Sequence, residues 1–325
     1  VVSVIENYIL LTGGKMVKKI VEDKPSTPEE KKKRLKQKIA MINKKAGKEV
    51  ISMATDSQSR ERIPFGSDDL NEISGGGMPI GAFSVLWGGK AAGKTSACYT
   101  LIANAQKEGI LCMLYDFERS FDPVWAAKFG VDPELLLIAK FKDAEAGLDN
   151  IIDICKEDLV GLIVVDSIQG LCPRGEYETK KGVEKSIADD TMALIPRKLS
   201  KFFPKAAPFV DESNCAVVLI GQTRKGLGGF VVLDELTGGN ALLHWSSLTM
   251  HCRRGKKDNA PSISVDNGKK DKNGKKKLDK VLTGYEMVTK VNKSKVGPDE
   301  GKEARLSFYF GSGFVKREEE ATEDD

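Results

Sequence analysis

Histidine is nearly absent from the chain. His244 and His251 are the only two among 325 residues, and neither has neighbours spaced like metal ligands, so both read as structural. Paired cysteine motifs are missing as well. Cys98, Cys112, Cys155, Cys172, Cys215 and Cys252 form no C-x-x-C pair, and most lie in apolar segments, the pattern of reduced core thiols in a cytosol-like compartment. No apolar run reaches bilayer length; the Val1–Leu11 stretch contains Glu6 and Asn7 and is too short to span. A soluble, cytoplasmic protein without membrane contact is therefore expected. Strong net charge is also lacking: 51 Lys and Arg face 47 Asp and Glu, formally +4, but the basic residues cluster, which permits nucleic-acid contact without demonstrating it. The length leaves room for one large α/β core plus extensions.

What is present is concentrated in one octet. Gly88, Gly89, Lys90, Ala91, Ala92, Gly93, Lys94 and Thr95 match the phosphate-binding pattern G-x-x-x-x-G-K-[ST] at every fixed position. Glycines let backbone N–H groups turn inward around phosphate oxygens, and the helix that follows, from Ser96, presents its positive end. Lys94 would neutralise charge between the β- and γ-phosphates of ATP, and the Thr95 hydroxyl would ligate Mg²⁺. Context agrees: Phe83–Trp87 reads as a buried strand and Ser96–Ala105 as a helix. Downstream, the apolar run from Gly161 ends in Asp166, as in a parallel strand buried on both faces, whose carboxyl end can hold a Mg²⁺-bound water. Between them, Ile110–Glu118 ends in Asp116 and Glu118, two apart. On an extended chain both share one face, so either carboxylate can orient the water that attacks a γ-phosphate.

Six segments then fall into one order: Leu70–Gly81, the phosphate loop, Asp116–Pro123, Val164–Ser167, Gly221–Arg224 and Gly238–Leu242. In residues and near-constant spacing they resemble the RecA-family recombinases, over roughly residues 28–315, most weakly at 174–212 and 255–282. The resemblance implies a RecA-like P-loop ATPase core of the α/β class, a central mostly parallel sheet flanked by helices, preceded by a protomer-docking helix and strand. It assigns the catalytic glutamate to Glu118, the adenine-stacking aromatic to Trp125, the adenine-facing carboxylate to Asp122 and the γ-phosphate sensor to Gln222. Without the resemblance, Trp125 reads as a core residue of the helix starting at Asp122-Pro123. Lys293 and Lys295 fall where the family has a lysine pair reaching the neighbouring protomer's nucleotide, after allowing a one-residue insertion before Phe308.

Two segments are candidates for holding DNA. In Glu176–Asp190, Lys180, Lys181 and Lys185 alternate with acids. In Thr223–Gly239, Arg224 and Lys225 precede a glycine-rich stretch and a lone Phe230, and Gly238, Gly239 and Asn240 close the segment. Cations supply sequence-independent phosphate affinity and an apolar wedge can part stacked bases. The alternative makes Phe230–Leu233 a buried strand. Arg254–Lys280 holds ten Lys/Arg against four Asp with few apolar residues and reads as a solvated hairpin tip, a secondary DNA contact being the alternative. Pro196 and Pro204 are expected to interrupt the helix after the first DNA segment.

Thr27-Pro28-Glu29-Glu30 reads as a capping box with proline at the first helical position, and Leu35, Ile39, Ile42 and Ala46 form one narrow stripe before Gly47. That helix and an expected strand at Glu49–Ala54 make residues 27–60 an oligomerisation segment; the alternative folds the helix back on its own domain. Residues 1–26 are expected to stand outside the fold, either disordered or, before Met16, read from an upstream frame. The core is assigned to 61–315 and an acidic tail to 316–325, with the family's carboxyl-terminal small domain expected to be missing. The expected activity is DNA-dependent ATP hydrolysis coupled to strand exchange, with single-stranded DNA, then a homologous duplex, as partners in a head-to-tail helical filament. A single-strand-binding protein or loader is a further candidate partner. A ring-forming helicase on the same core, and a non-hydrolysing regulator, are the alternatives.

Overall fold

The computed structural model describes residues 8–10, 16–18, 27–54, 59–179, 182, 184–185, 194–225, 234–270, 276–297, 299–310 and 313–314. The chain divides into two units, Val1–Ser59 and Arg60–Asp325.

In the first unit, β1 (Tyr8–Leu10) and β2 (Met16–Lys18) pair antiparallel, within the segment expected to stand outside the fold. The helix α1 (Pro28–Ala46) starts where the capping signals place it. Thr27 accepts from the Glu30 N–H, Glu30 reaches back to the Thr27 N–H, and Gly47 closes the helix at φ 69°. None of its residues is buried. The strand expected at Glu49–Ala54 does not form. Among the described residues no strand pairs with that segment; instead the Asn43 side chain accepts from the Val50 and Ile51 N–H groups at 3.0 Å and donates to the Ile51 carbonyl at 2.8 Å.

The second unit runs β3 (Arg62–Ile63), α2 (Asp68–Ser74), β4 (Met78–Pro79), β5 (Ala82–Gly88), α3 (Lys94–Lys107), β6 (Cys112–Asp116), α4 (Pro123–Ala127), β7 (Leu136–Ala139), α5 (Ala144–Lys156) and β8 (Leu162–Asp166). It continues through α6 (Arg174–Tyr177), α7 (Leu194–Glu212), β9 (Ala216–Lys225), β10 (Asp234–Leu236), α8 (Asn240–Trp245) and β11 (Leu248–Arg254). Then follow β12 (Ser262–Lys270), β13 (Lys276–Leu282), β14 (Gly284–Ser294), β15 (Glu303–Tyr309) and β16 (Gly313–Phe314). The main sheet has the order β16-β15-β14-β11-β5-β9-β8-β6-β7, with β10 pairing β9 off that path. From β11 to β7 every neighbour is parallel; β14, β15 and β16 continue antiparallel.

Strand side chains alternate between two cores, as the period of two requires. Leu86, Leu114, Val164 and Val218 pack with Ala97, Leu101 and Ile102 of α3. Val85, Tyr115, Val165 and Leu219 pack with α5 and α7 on the other face, where Phe83 meets Phe203 edge-on at 5.0 Å between centroids. Both faces are therefore covered, which explains the uninterrupted apolar strands. The helix α7 is continuous through Pro204 and Pro208 rather than interrupted, and Pro196 sits in its first turn. Each internal proline removes one backbone donor, but the stripe Leu199, Phe202, Phe203, Ala206 and Val210 is buried, and that burial outweighs the lost bonds. The basic segment after β11 is a hairpin standing apart from the main sheet, in which β12 and β13 pair antiparallel.

Candidate active site

The phosphate loop lies between β5 and α3, where strand, loop and helix were expected. Gly88 has φ 151°, and an added Cβ would fall 1.8 Å from the Cys252 carbonyl oxygen on the adjoining β11, so only glycine fits that turn. Ala91, with φ 53°, is one of the few left-handed non-glycine residues. The Lys94 ammonium folds back into the loop, donating to the carbonyls of Gly88 at 3.0 Å and Gly89 at 2.6 Å. Burial lowers its pKa, opposed by Asp166 and Glu118 among other groups.

Parallel pairing brings Asp166, at the end of β8, to the loop after β5. Its carboxylate accepts from the Thr95 hydroxyl at 2.9 Å. Burial is the main cause that pushes the Asp166 carboxyl up to about 6; Glu118 and Asp116 add to it, while Thr95 and Lys94 oppose it. Hydroxyl and carboxylate make an oxygen-only donor pair beside the loop, chemistry that suits Mg²⁺ completed by phosphate and water.

Asp116 and Glu118 part company in space. Asp116 is buried and accepts the Ser120 and Phe121 N–H groups at 3.0 and 3.2 Å, closing the turn after β6. Glu118 instead faces a cavity of about 590 Å³ lined also by Lys90, Lys94, Thr95, Asp166, Gln169 and Gln222. Its carboxylate accepts from the Ser167 hydroxyl and, at 3.3 Å, from the Gln222 amide.

Gln222 is held at three points. Besides Glu118, its N–H donates to the Gln169 side chain at 3.0 Å, and its carbonyl accepts the Thr237 hydroxyl at 2.8 Å and N–H at 3.2 Å. Gln169 also donates to the Thr237 hydroxyl. Beyond Gln222 the chain forms a ribbon: Thr223, Arg224 and Lys225 of β9 pair with Leu236, Glu235 and Asp234 of β10. Arg224 and Lys225 thus lie on the β9 strand of this ribbon, and residues 226–233 fall outside the described residues. Phe230 falls outside the described residues. Gly238 and Gly239, at φ 123° and 83°, lead into α8, which Asn240 begins.

A second cavity, about 310 Å³, adjoins the same loop from the α3 side and is lined by Trp125, Arg254, Tyr285, Phe308 and Phe310 as well as residues 91–96. Trp125 lines this cavity and is edge-on to Phe129 at 5.3 Å, so it also serves the core. Asp122 does not line it; its carboxylate caps α4 through the Val124 and Trp125 N–H groups at 2.8 and 3.2 Å. Arg254 donates from Nε to the Ala91 carbonyl at 2.8 Å and stands 4.3 Å over the Tyr285 ring, which stacks on Phe308 at 4.5 Å. Burial pushes the Tyr285 phenol up to about 12. Gln169, Thr237, Arg254, Tyr285, Phe308 and Phe310 carry no local sequence signal; only strand order brings them in.

The remaining candidates lie elsewhere. Lys293 and Lys295 donate to the last carbonyls of α8, Lys293 to Leu243 and His244 and Lys295 to His244 at 2.5 Å. Lys185 donates to the Gly175 carbonyl at 2.7 Å. Lys180 and Lys181 fall outside the described residues.

Comparison with known proteins agrees with this architecture. The RecA N-terminal domain family model matches residues 33–315. Protein RecA of Haemophilus ducreyi is 32% identical over 313 residues, covering 95% of this chain and 77% of the relative. Protein RecA of Mannheimia haemolytica is 32% identical over 296 residues, covering 90% of this chain and 74% of the relative. The sheet order, the loop between β5 and α3 and these matches together make the chain a member of the RecA family of DNA recombination and repair proteins.

Proposed function

We propose that this protein binds ATP and Mg²⁺ in the two adjoining cavities, polymerises on single-stranded DNA and promotes homologous pairing, with DNA-stimulated hydrolysis resetting the filament. The observation that carries this reading is the placement of Gln222, whose side chain enters the cavity of Lys94 and Glu118 while its backbone closes the root of the β9–β10 ribbon.

The roles follow from the contacts. Residues 88–95 would wrap the phosphates, with Lys94 exchanging its two carbonyl partners for phosphate oxygens. Trp125, Tyr285, Phe308 and Phe310 offer π-faces to the base, and Asp122 stays a helix cap. Thr95 and Asp166 would hold Mg²⁺, which supplies charge neutralisation on the phosphates. Glu118 keeps one oxygen on Ser167 and Gln222 and can orient the attacking water with the other, accepting its proton as the bond to phosphorus forms. Gln222 would exchange Glu118 for the γ-phosphate, so the ribbon root senses whether that phosphate is present. Differential contact of this kind couples the nucleotide to the DNA loop in both directions. Lys293 and Lys295 would leave the α8 carbonyls to reach a neighbour's nucleotide. Arg224, Lys225, Phe230, Lys180, Lys181 and Lys185 would supply the phosphate and base contacts, and α1 the protomer contact. Among the described residues no helix is long and apolar enough to cross a membrane.

Electron microscopy on long single-stranded DNA with Mg²⁺ and a slowly hydrolysed ATP analogue tests this, with Lys94→Ala as control. Continuous nucleotide-dependent helical filaments are expected. Closed rings would indicate a translocating motor, and bare DNA would reject the filament.

A further inference from the structure

Beyond Asp166 the chain makes a short 3₁₀ turn, Ile168–Gly170, which lies between the end of β6 and the root of the β9–β10 ribbon. Gly170 seats the turn on β6: an added Cβ would fall 2.8 Å from the Phe117 carbonyl carbon, one residue before Glu118. The Phe117 and Glu118 N–H groups both donate to the Asp166 carbonyl, at 2.8 and 3.3 Å. Turn and Glu118 backbone therefore form one fixed frame. On its other side the turn meets the ribbon. Ile168 is buried in the apolar cluster against which Leu236 packs, and a Cβ added to Gly238 would fall 3.4 Å from the Ile168 Cγ2.

Gln169, the next residue, grips the ribbon through its amide. Its Oε1 accepts the Gln222 N–H at 3.0 Å, and its Nε2 donates to the Thr237 hydroxyl. That hydroxyl donates in turn to the Gln222 carbonyl at 2.8 Å, and the Thr237 N–H donates to the same carbonyl at 3.2 Å. The ring is closed and every donor in it has an acceptor, so one side chain spans both strands at their root. The Gln222 side chain is held far less firmly: among the described residues its one bond is the long contact of 3.3 Å to Glu118. Gln169 is exposed, so water can serve the Gln222 N–H and the Thr237 hydroxyl in its place. Water cannot hold the two strands at a set distance from Glu118.

We propose that Gln169 is a positioning residue for nucleotide sensing: it fixes the Gln222 backbone to the Glu118 frame and ties β9 to β10, so that a change of partner at the Gln222 amide turns the ribbon as one body. This rests on the nucleotide-and-DNA reading above, and Gln169 acts in it through Gln222. Without the clamp, the Gln222 backbone follows its own side chain and the motion is lost at the root.

The test compares single-stranded DNA affinity with and without the slowly hydrolysed ATP analogue; the ratio measures the coupling. Gln169→Leu keeps the size and removes both bonds. It should lower the ratio at least about fivefold, with analogue affinity within about threefold and an unchanged melting temperature. Thr237→Val should do the same, whereas Thr237→Ser, which keeps the hydroxyl, should retain the wild-type ratio. Gln169→Leu combined with Thr237→Val should lose no more than either alone, because both open one ring. An unchanged ratio in Gln169→Leu overturns the proposal. So do additive losses, and so does an equal loss of analogue affinity, which would put Gln169 on the nucleotide itself. If Gln169→Leu does not fold, the two Thr237 variants decide. Amide hydrogen exchange of the nucleotide-free protein gives a reading that needs no DNA. The Gln222 and Thr237 N–H groups should exchange faster in Gln169→Leu while those of β6 and β8 do not change; equal exchange would show that Gln169 does not hold the root. If wild-type DNA affinity ignores the analogue, the nucleotide-and-DNA reading fails, and the exchange comparison still decides whether Gln169 positions Gln222.

Discussion

The Gln222 amide donates to the Glu118 carboxylate at 3.3 Å, although 103 residues separate them in the chain. The contact joins the end of β9's core portion to the turn after β6, across β8. It links a carboxylate that faces the cavity beside the phosphate loop to the residue at the root of the β9–β10 ribbon.

Glu118→Gln keeps the shape and an acceptor for Ser167 but loses the proton acceptor. Turnover should fall about 10²-fold or more, while nucleotide binding and assembly on DNA persist. Steady-state hydrolysis alongside filament counting checks this. Gln222→Ala should instead leave nucleotide affinity within about threefold and bring DNA-stimulated turnover down to the DNA-free rate.

Asp166 makes a pH-dependent cost visible. In the folded protein its carboxyl titrates at about 6 rather than 3.8, so folding favours the protonated form and stability is lost as pH rises from about 4 through 6. Without nucleotide, Asp166→Asn should be more stable than wild type by about 2–3 kcal/mol at pH 7.5, and the difference should vanish below pH 4. Urea melts across that range measure it. The same variant should lose Mg²⁺-dependent hydrolysis.

The phosphate loop, its flanking strand and helix, and Asp166 were legible because each is a local pattern read along one strand or turn. Asp116 and Glu118 were not separable by residue type. Only the turn geometry, with Asp116 accepting two N–H groups, frees Glu118 for the cavity. The resemblance to the family had already pointed to Glu118. Arg254, Tyr285, Phe308 and Phe310 converge from three strands, and no spacing announces that. Pro204 misled because helix propensity is local, whereas the buried face of α7 is tertiary.

Arg254→Ala removes the bond to the Ala91 carbonyl and the cation over Tyr285. Adenine-nucleotide affinity should weaken about tenfold, equivalent to about 1.4 kcal/mol. Fluorescence titration would show it, and an unchanged melting temperature would separate it from misfolding.

Leu35 and Ile42 of α1 are exposed at 59% and 36%. Changing both to serine should leave unfolding free energy within about 0.5 kcal/mol yet abolish nucleotide-dependent polymers on DNA. Sedimentation with and without DNA distinguishes the two effects; undiminished polymerisation would place the protomer contact elsewhere.

On the proposed function, the β9–β10 ribbon would work as a lever. Three paired residues separate Gln222 from the ribbon's far end, a span of about 10 Å at about 3.3 Å per residue. A tilt of about 10° at the Gln222 pivot would swing that end by nearly 2 Å, on the order of half a base-pair step, given a 3.4 Å rise per strand. One amide changing partners would thereby become a displacement large enough for bound DNA to register.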